Sequence, residues 1–294
     1  MNVLITGATG FVGSHICAKL CYGDDRILCI VRSSSDISAI DGLPNVTILR
    51  FAKEKDIYDI LSEWHVDVLI HCAGAFFQQH DRNSIFELLD SNVQFPSVVI
   101  DAAVRQGCKK IINTTSYWEA YKGQKGHPVN LYASTRLALE EILRFYNLTH
   151  KCDITTLVIY GCYGYGDHRK KIMNVLRDMN NGETIDMSEG KQLISLVYID
   201  DIVNAYVLCL NKQYQYGIFE KYDLIAGDLV SLRQCVETFL KISQKRIQIN
   251  WGARPIGIDA DFDAISVNGR LPDWRPLIGI EEGMRLFWGE KRGA

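Results

Sequence analysis

Long runs of like charge are missing from this sequence. It carries 32 Lys and Arg against 35 Asp and Glu, a formal net charge of −3. Nothing therefore marks a surface for nucleic acid or for an anionic membrane. No apolar run approaches the roughly 18 residues of a membrane span. No basic stretch with an apolar core precedes the opening strand pattern MNVLITG. These features predict a soluble cytoplasmic protein. The nine cysteines (Cys17, Cys21, Cys29, Cys72, Cys108, Cys152, Cys162, Cys209, Cys235) fall singly, with no CxxC pair and no HExxH. No metal site is expected from that pattern, and reduced, mostly buried thiols fit it. Internal repeats and low-complexity tracts are also missing.

What is present is a core. Apolar residues make up 47% of 294 positions, enough for one large domain or two intimately joined ones. Short Val/Ile/Leu-rich runs at 2–6, 26–32, 46–51, 67–72, 110–115 and 153–160 read as strands. They are continuous rather than alternating, as strands buried on both faces are. Helical patterns at 11–22, 54–63, 82–106 and 130–149 separate them. This alternation predicts an α/β fold with a doubly wound parallel sheet of Rossmann type. After residue 160 the texture turns loop-rich. The reading is a dinucleotide-binding domain over 1–165, with 191–215 returning to it. A smaller interleaved α/β substrate lobe takes 166–190 and 216–294.

The segment VLITGATGFVGSHICAKL sets Gly7, Gly10 and Gly13 between the first strand and the first helix. Glycine permits the tight turn and the close approach of backbone N–H groups to a pyrophosphate, which the helix N-terminus then favours. At the end of the second strand, where an acid would hold a ribose hydroxyl, stands Arg32, followed by Ser33 and Ser34. A guanidinium and hydroxyls suit a 2′-phosphate, so NADP(H) is preferred over NAD(H). The other reading leaves Arg32 solvated, with Asp36 reaching back.

The spacing G-x-x-G-x-x-G resembles the extended short-chain dehydrogenase/reductase family, many of whose members act on nucleotide sugars. The resemblance covers almost the whole chain and implies cofactor contacts from Gly7, Thr9, Gly10, Phe11, Val12, Gly13, Arg32 and Ser33. LIHCAGAF adds Cys72, Ala73 and Gly74, and SNVQFP adds Asn92. The family's acid after the third strand is replaced in LRFAKEKD, where Asp56 is a displaced candidate.

The family's chemistry uses a tyrosine, a lysine four residues on, and a Ser or Thr ending the fifth strand. NLYASTRLALEE supplies Tyr132 and, in the lysine position, Arg136. Residues i and i+4 share one helix face, about 5–6 Å apart at Cβ. A cation there stabilises the phenolate of a proton-donating tyrosine. Arginine keeps that charge at every working pH but cannot give up a proton. The resemblance makes Tyr132 and Arg136 catalytic and cofactor-contacting residues. Thr114 is the favoured hydroxyl, with Thr115 and Ser116 behind it. The Asp–Glu pair with which related dehydratases follow this position is absent, which argues against a 4,6-dehydratase.

Further matches lie in the second half. CYGYGD resembles the family's Tyr-Gly-Pro-Gly-Asp loop, LVYIDDIVNAY its YVDD segment with Asp200 and Asp201, and LPDWRP its closing Gly-Trp-Lys-Pro. The Arg-Asp usual before YVDD is Ile194-Ser195 here. Substrate contacts are then implied for Thr115, Ser116, Tyr160, Arg169, Lys191 and Arg254, the last three as anion partners. The texture resembles the bacterial reductases that finish nucleotide-linked deoxysugars, such as CDP-abequose and CDP-paratose synthases. The expected activity is NADPH-dependent reduction of a nucleotide-linked 4-keto sugar. A 4-epimerase with tightly bound NAD and a low-turnover NADP-binding sensor are the alternatives. A homodimer through the 82–106 and 130–149 helices is expected by analogy.

Overall fold

The Val/Ile/Leu runs become the strands of one sheet. The structure, a computed structural model, describes residues 1–257 and 263–289. Seven strands run parallel: β1 (Asn2–Thr6), β2 (Arg26–Arg32), β3 (Val46–Phe51), β4 (Val68–His71), β5 (Lys110–Ser116), β6 (Asp153–Ile159) and β7 (Phe219–Leu224). Their order is β7-β6-β5-β4-β1-β2-β3. The helices are α1 (Phe11–Leu20), α2 (Asp56–Ser62), α3 (Arg82–Leu89), α4 (Phe95–Arg105), α5 (Leu131–His150), α6 (Ile172–Asp178), α7 (Ile199–Asn211), α8 (Leu232–Ser243) and α9 (Ile280–Gly289).

Side chains alternate across each strand, so the sheet has a core on each face. Ile5, Ile112 and Leu157 share one with Ile16 of α1 and Ile202 of α7. Leu4, Leu69 and Ile111 share the other with Val99 of α4 and Leu139 of α5. β1 has β2 on one side and β4 on the other. The chain winds away from it in both directions, which opens a crevice at the strands' C-terminal ends. No described helix is long and apolar enough to cross a membrane.

Two expectations change. The helix expected over 82–106 is broken into α3, a π-helical turn at Asp90–Gln94, and α4, with Pro96 at the start of α4. Pro96 has no N–H to donate back to the preceding turn, and the backbone widens there. The substrate lobe expected over 216–294 loses residues 219–224 to the central sheet, where they pair with β6 from Phe219↔Ile154 to Leu224↔Ile159. Only the last two residues of FEKYDL are fully buried. As an edge strand it lacks the continuous apolar run that marks its neighbours.

α7 packs on α1, against the sheet. The closing segment is tied to it: Trp274 donates its indole N–H to the Asp201 carbonyl at 2.8 Å, and the Asp201 carboxylate accepts from the amides of Leu277 and Ile278. Strand pairing of 184–187 with 248–251, together with α6, α8 and α9, completes the second half.

Candidate active site

The glycine-rich turn after β1 is shaped for a dinucleotide. Gly7 has φ +67°, and the Gly10 amide donates to its carbonyl at 2.9 Å. A Cβ on Gly13 would collide with that same carbonyl, so helix and strand approach more closely than any other residue allows. Beside the turn lies a cavity of about 270 Å³ lined by Gly7, Thr9, Gly10, Arg32, Cys72, Ala73 and Gly74. The turn, the start of α1 and the cavity together fit a nicotinamide dinucleotide. Ser35, Phe51, Glu87 and Ser91, none anticipated from the sequence, also line it.

Other expected cofactor residues sit differently. The Ser33 hydroxyl is turned onto the Phe51 carbonyl at 2.9 Å. Phe11 lies under the Arg169 guanidinium, 4.2 Å from the ring centre, and Val12 packs on the core. Asn92 is fully buried in the π-helical turn. Its amide brackets Ala75, accepting from the backbone N–H at 2.8 Å and donating to the carbonyl at 3.0 Å, and donates to Thr135 as well. It therefore shapes the cavity wall rather than facing the cavity. Arg32 reaches Ser91 at 2.9 Å and the exposed Asp90 at 3.5 Å. Asp36 does not reach back, because its carboxylate holds the Ser38 amide at 2.9 Å. Asp56 is likewise engaged with the Lys53 amide.

Tyr132 enters α5 in its first turn, after Asn130, whose side chain caps the helix by accepting from the Ala133 amide at 3.0 Å. Arg136, one turn on, is 6% exposed. Its guanidinium carbon is 5.6 Å from the Tyr132 ring centre, and Nη1 donates to the Ala73 carbonyl at 3.1 Å. The helix thus ties the tyrosine–cation pair to the cavity wall.

The three candidate hydroxyls separate. Thr114 is buried and shares a 2.6 Å hydrogen bond with the Tyr206 hydroxyl, with the Cys72 thiol 3.4 Å away. Burial pushes that thiol up to about 11. Thr115, on the opposite face, donates to Glu119. Ser116 is half-buried at the C-terminal end of β5, where its oxygen accepts from the Trp118 amide at 3.3 Å.

The expected anion partners also divide. Arg169 binds both carboxylate oxygens of Asp167 at 2.7 Å and the Cys162 carbonyl at 2.9 Å. Lys191 and Arg254, far apart in sequence, line one cavity of about 750 Å³ with Lys122, Gln192 and Pro255. Tyr160 stacks on Tyr117 and donates to the Ile265 carbonyl at 2.8 Å. Among the described residues no cluster of His, Cys, Asp and Glu could hold a metal ion. Phe76 and Trp118, which close around Tyr132, were missed. The sequence signals were the positions of Phe76, three residues after Ala73, and of Trp118, two residues after Ser116.

A family model, the NAD dependent epimerase/dehydratase family, matches residues 3–223. CDP-abequose synthase of Yersinia pseudotuberculosis is 29% identical over 216 residues, 72% of this chain and 74% of its own length. The CDP-abequose synthase of Salmonella muenchen is 26% identical over 296 residues, covering 99% and 98%. Among solved structures, MoeE5 in complex with UDP-glucuronic acid and NAD shares the fold with a TM-score of 0.83 at 19% identity, over 99% of both chains. The chain belongs to the NAD dependent epimerase/dehydratase family of oxidoreductase-type enzymes.

Proposed function

We propose that the protein uses NADPH to reduce the 4-keto group of a nucleotide-activated 6-deoxy or dideoxy sugar, a step of deoxysugar biosynthesis. The Tyr132/Arg136 pair, tied to the cavity wall at the Ala73 carbonyl, carries this reading. The two CDP-abequose synthase relatives support the sugar class.

The dinucleotide, when bound, supplies the hydride that reaches C4. Tyr132 gives its hydroxyl proton to O4, and the carbonyl π pair becomes the new O–H bond. Arg136 stabilises the phenolate left behind, which regains its proton from solvent. Ser116 orients the keto oxygen, because Thr114 and Thr115 spend their hydroxyls on Tyr206 and Glu119. Lys191 and Arg254 hold the nucleotide diphosphate from the larger cavity.

Arg32 and Ser35 line the cavity at the end of β2, and the acid that would favour a free ribose, Asp36, is engaged elsewhere. Among the described residues only one nitrogen of Arg32 is engaged, with Ser91 at 2.9 Å and the exposed Asp90 at 3.5 Å, which leaves the rest of the guanidinium for a 2′-phosphate. A homodimer through the helices of 82–105 and α5 belongs to the same proposal, since Phe86 and Leu148 stand 72% and 62% exposed on them.

The test is an NADPH oxidation screen over CDP-, dTDP- and GDP-linked 4-keto-6-deoxy sugars. Oxidation with one nucleotide, faster with NADPH than NADH, is expected. A protein that purifies with tightly held NAD and interconverts 4-epimers without consuming NADPH overturns the reading.

A further inference from the structure

Two aromatic rings stand beside Tyr132 that proton transfer does not need. The Phe76 ring centre is 5.0 Å from that of Tyr132, edge-on at 80°. It is 5.4 Å from that of Trp118, which itself lies 6.5 Å from Tyr132. The three come from separate places in the chain: the loop after β4, the 3-10 turn after β5, and the first turn of α5. Such convergence is built by the tertiary fold, not by local sequence.

This is not core packing, for Phe76 is 57% exposed. A large ring held in water at a reactive hydroxyl marks a binding surface. Its position decides what binds. Ala73, Gly74 and Ala75, immediately before Phe76, line the dinucleotide cavity. Ser116, two residues before Trp118, ends β5. A C4 carbonyl that Tyr132 protonates brings C5, which carries C6, to the side of the tyrosine where these rings stand.

Phe76 has no polar atom and Trp118 has one N–H. A hydroxyl pressed against this surface loses water and gains little in return, whereas a methyl or methylene loses nothing. We infer that Phe76 and Trp118 are specificity-determining residues, an apolar wall that receives the deoxygenated C6 edge of the sugar. This rests on the nucleotide-sugar reading for the identity of the ligand. An apolar wall discriminates modestly against an added hydroxyl, by about 10- to 100-fold.

The test is equilibrium binding by calorimetry with NADPH present, comparing CDP-6-deoxyglucose with CDP-glucose. Neither has a keto group for NADPH to reduce, so affinity alone is read, and CDP serves as the reference. The wild type should prefer the 6-deoxy ligand by about tenfold or more. In Phe76→Gln, and in Phe76→Gln combined with Trp118→Ala, the preference should fall to within about threefold, with NADPH affinity reporting that the fold is kept. Equal affinity of the wild type for both ligands, or a preference that survives the double variant, overturns the wall alone. Where the CDP ligands do not bind, the dTDP- and GDP-linked pairs take their place, and failure of all three pairs to bind more tightly than their free nucleoside diphosphates overturns the nucleotide-sugar reading along with it.

Discussion

Arg136 donates to the Ala73 carbonyl at 3.1 Å from a helix that also carries Tyr132, so the cation and the cavity wall move as one. A Cβ on Gly74 would collide with the same guanidinium, so the chain leaves room for arginine where a larger neighbour would not. In the proposed reduction, charge is what a Tyr132 phenolate needs, and position is what the bond to Ala73 adds.

Removing that charge should therefore cost more than changing its shape. Arg136→Gln is expected to lower kcat by about 10²–10³-fold, the loss typical of an electrostatic stabiliser. Arg136→Lys keeps the charge and should stay within about tenfold, since no proton need pass through residue 136. Steady-state rates with NADPH and a 4-keto sugar measure both. Loss of turnover in the lysine variant equal to that in glutamine would show that the fork geometry, not the charge, is required.

The hydroxyl assignment predicts a split between catalysis and stability. Ser116→Ala should lower kcat by about 10²-fold and cost about 1 kcal/mol or less of stability, from the lost 3.3 Å contact with the Trp118 amide. Thr114→Val should spare kcat instead. It strips the buried Tyr206 hydroxyl of its 2.6 Å partner, at a cost of about 1–3 kcal/mol in unfolding free energy. A catalytic defect in Thr114→Val with unaltered stability would return the role to Thr114.

That pair shows how far the sequence reaches. The parallel sheet was legible because strands buried on both faces must be continuous Val/Ile/Leu runs, and the glycine turn because only glycine fits it. Thr114 and Ser116 share a face by strand alternation, so pattern alone cannot rank them. The ranking turns on whether β5 ends at 115 or 116, and on Tyr206, 92 residues away. Only the end of β7 was legible, in the strand-like YDLIAG at 222–227, because the first half of an edge strand needs no apolar run. Arg169 read as a free cation, but the fold folds it back onto Asp167, two residues before it. Phe76 and Trp118 meet only in three dimensions.

His71 should give stability a slope in mild acid. Burial, with a further push from the Arg136 charge, holds its imidazole down to about 3. Unfolded, it takes a proton near the usual 6.5. The unfolded chain therefore binds the extra proton between those limits, and stability rises with pH there. The contribution is complete above about 6.5 and is lost as pH falls toward 3, at about 1.4 kcal/mol per pH unit at most. Urea midpoints at pH 7, 6 and 5 should fall less steeply in His71→Asn than in the wild type. Parallel slopes would mean that another group carries the acid sensitivity.

Lys221 places a charge inside the sheet's edge, and its removal should be costly. It stands on β7 between Glu119, at 2.6 Å, and Glu140, and all three side chains are at most 17% exposed. Burial alone would lower the lysine, but the two carboxylates outweigh it and hold its pKa above the ordinary value. Glu119 is raised by its own burial even with Lys221 beside it. Lys221→Met leaves the buried Glu119 without a cation and Glu140 with only the half-exposed Arg144 at 3.6 Å, and about 3–5 kcal/mol of stability should go with it. Adding Glu119→Gln and Glu140→Gln removes the stranded charge and should restore a large part of that loss. Urea unfolding of the single and triple variants measures both. Equal stabilities for the two would mean that the lysine's packing, rather than its charge, holds β7 to the sheet.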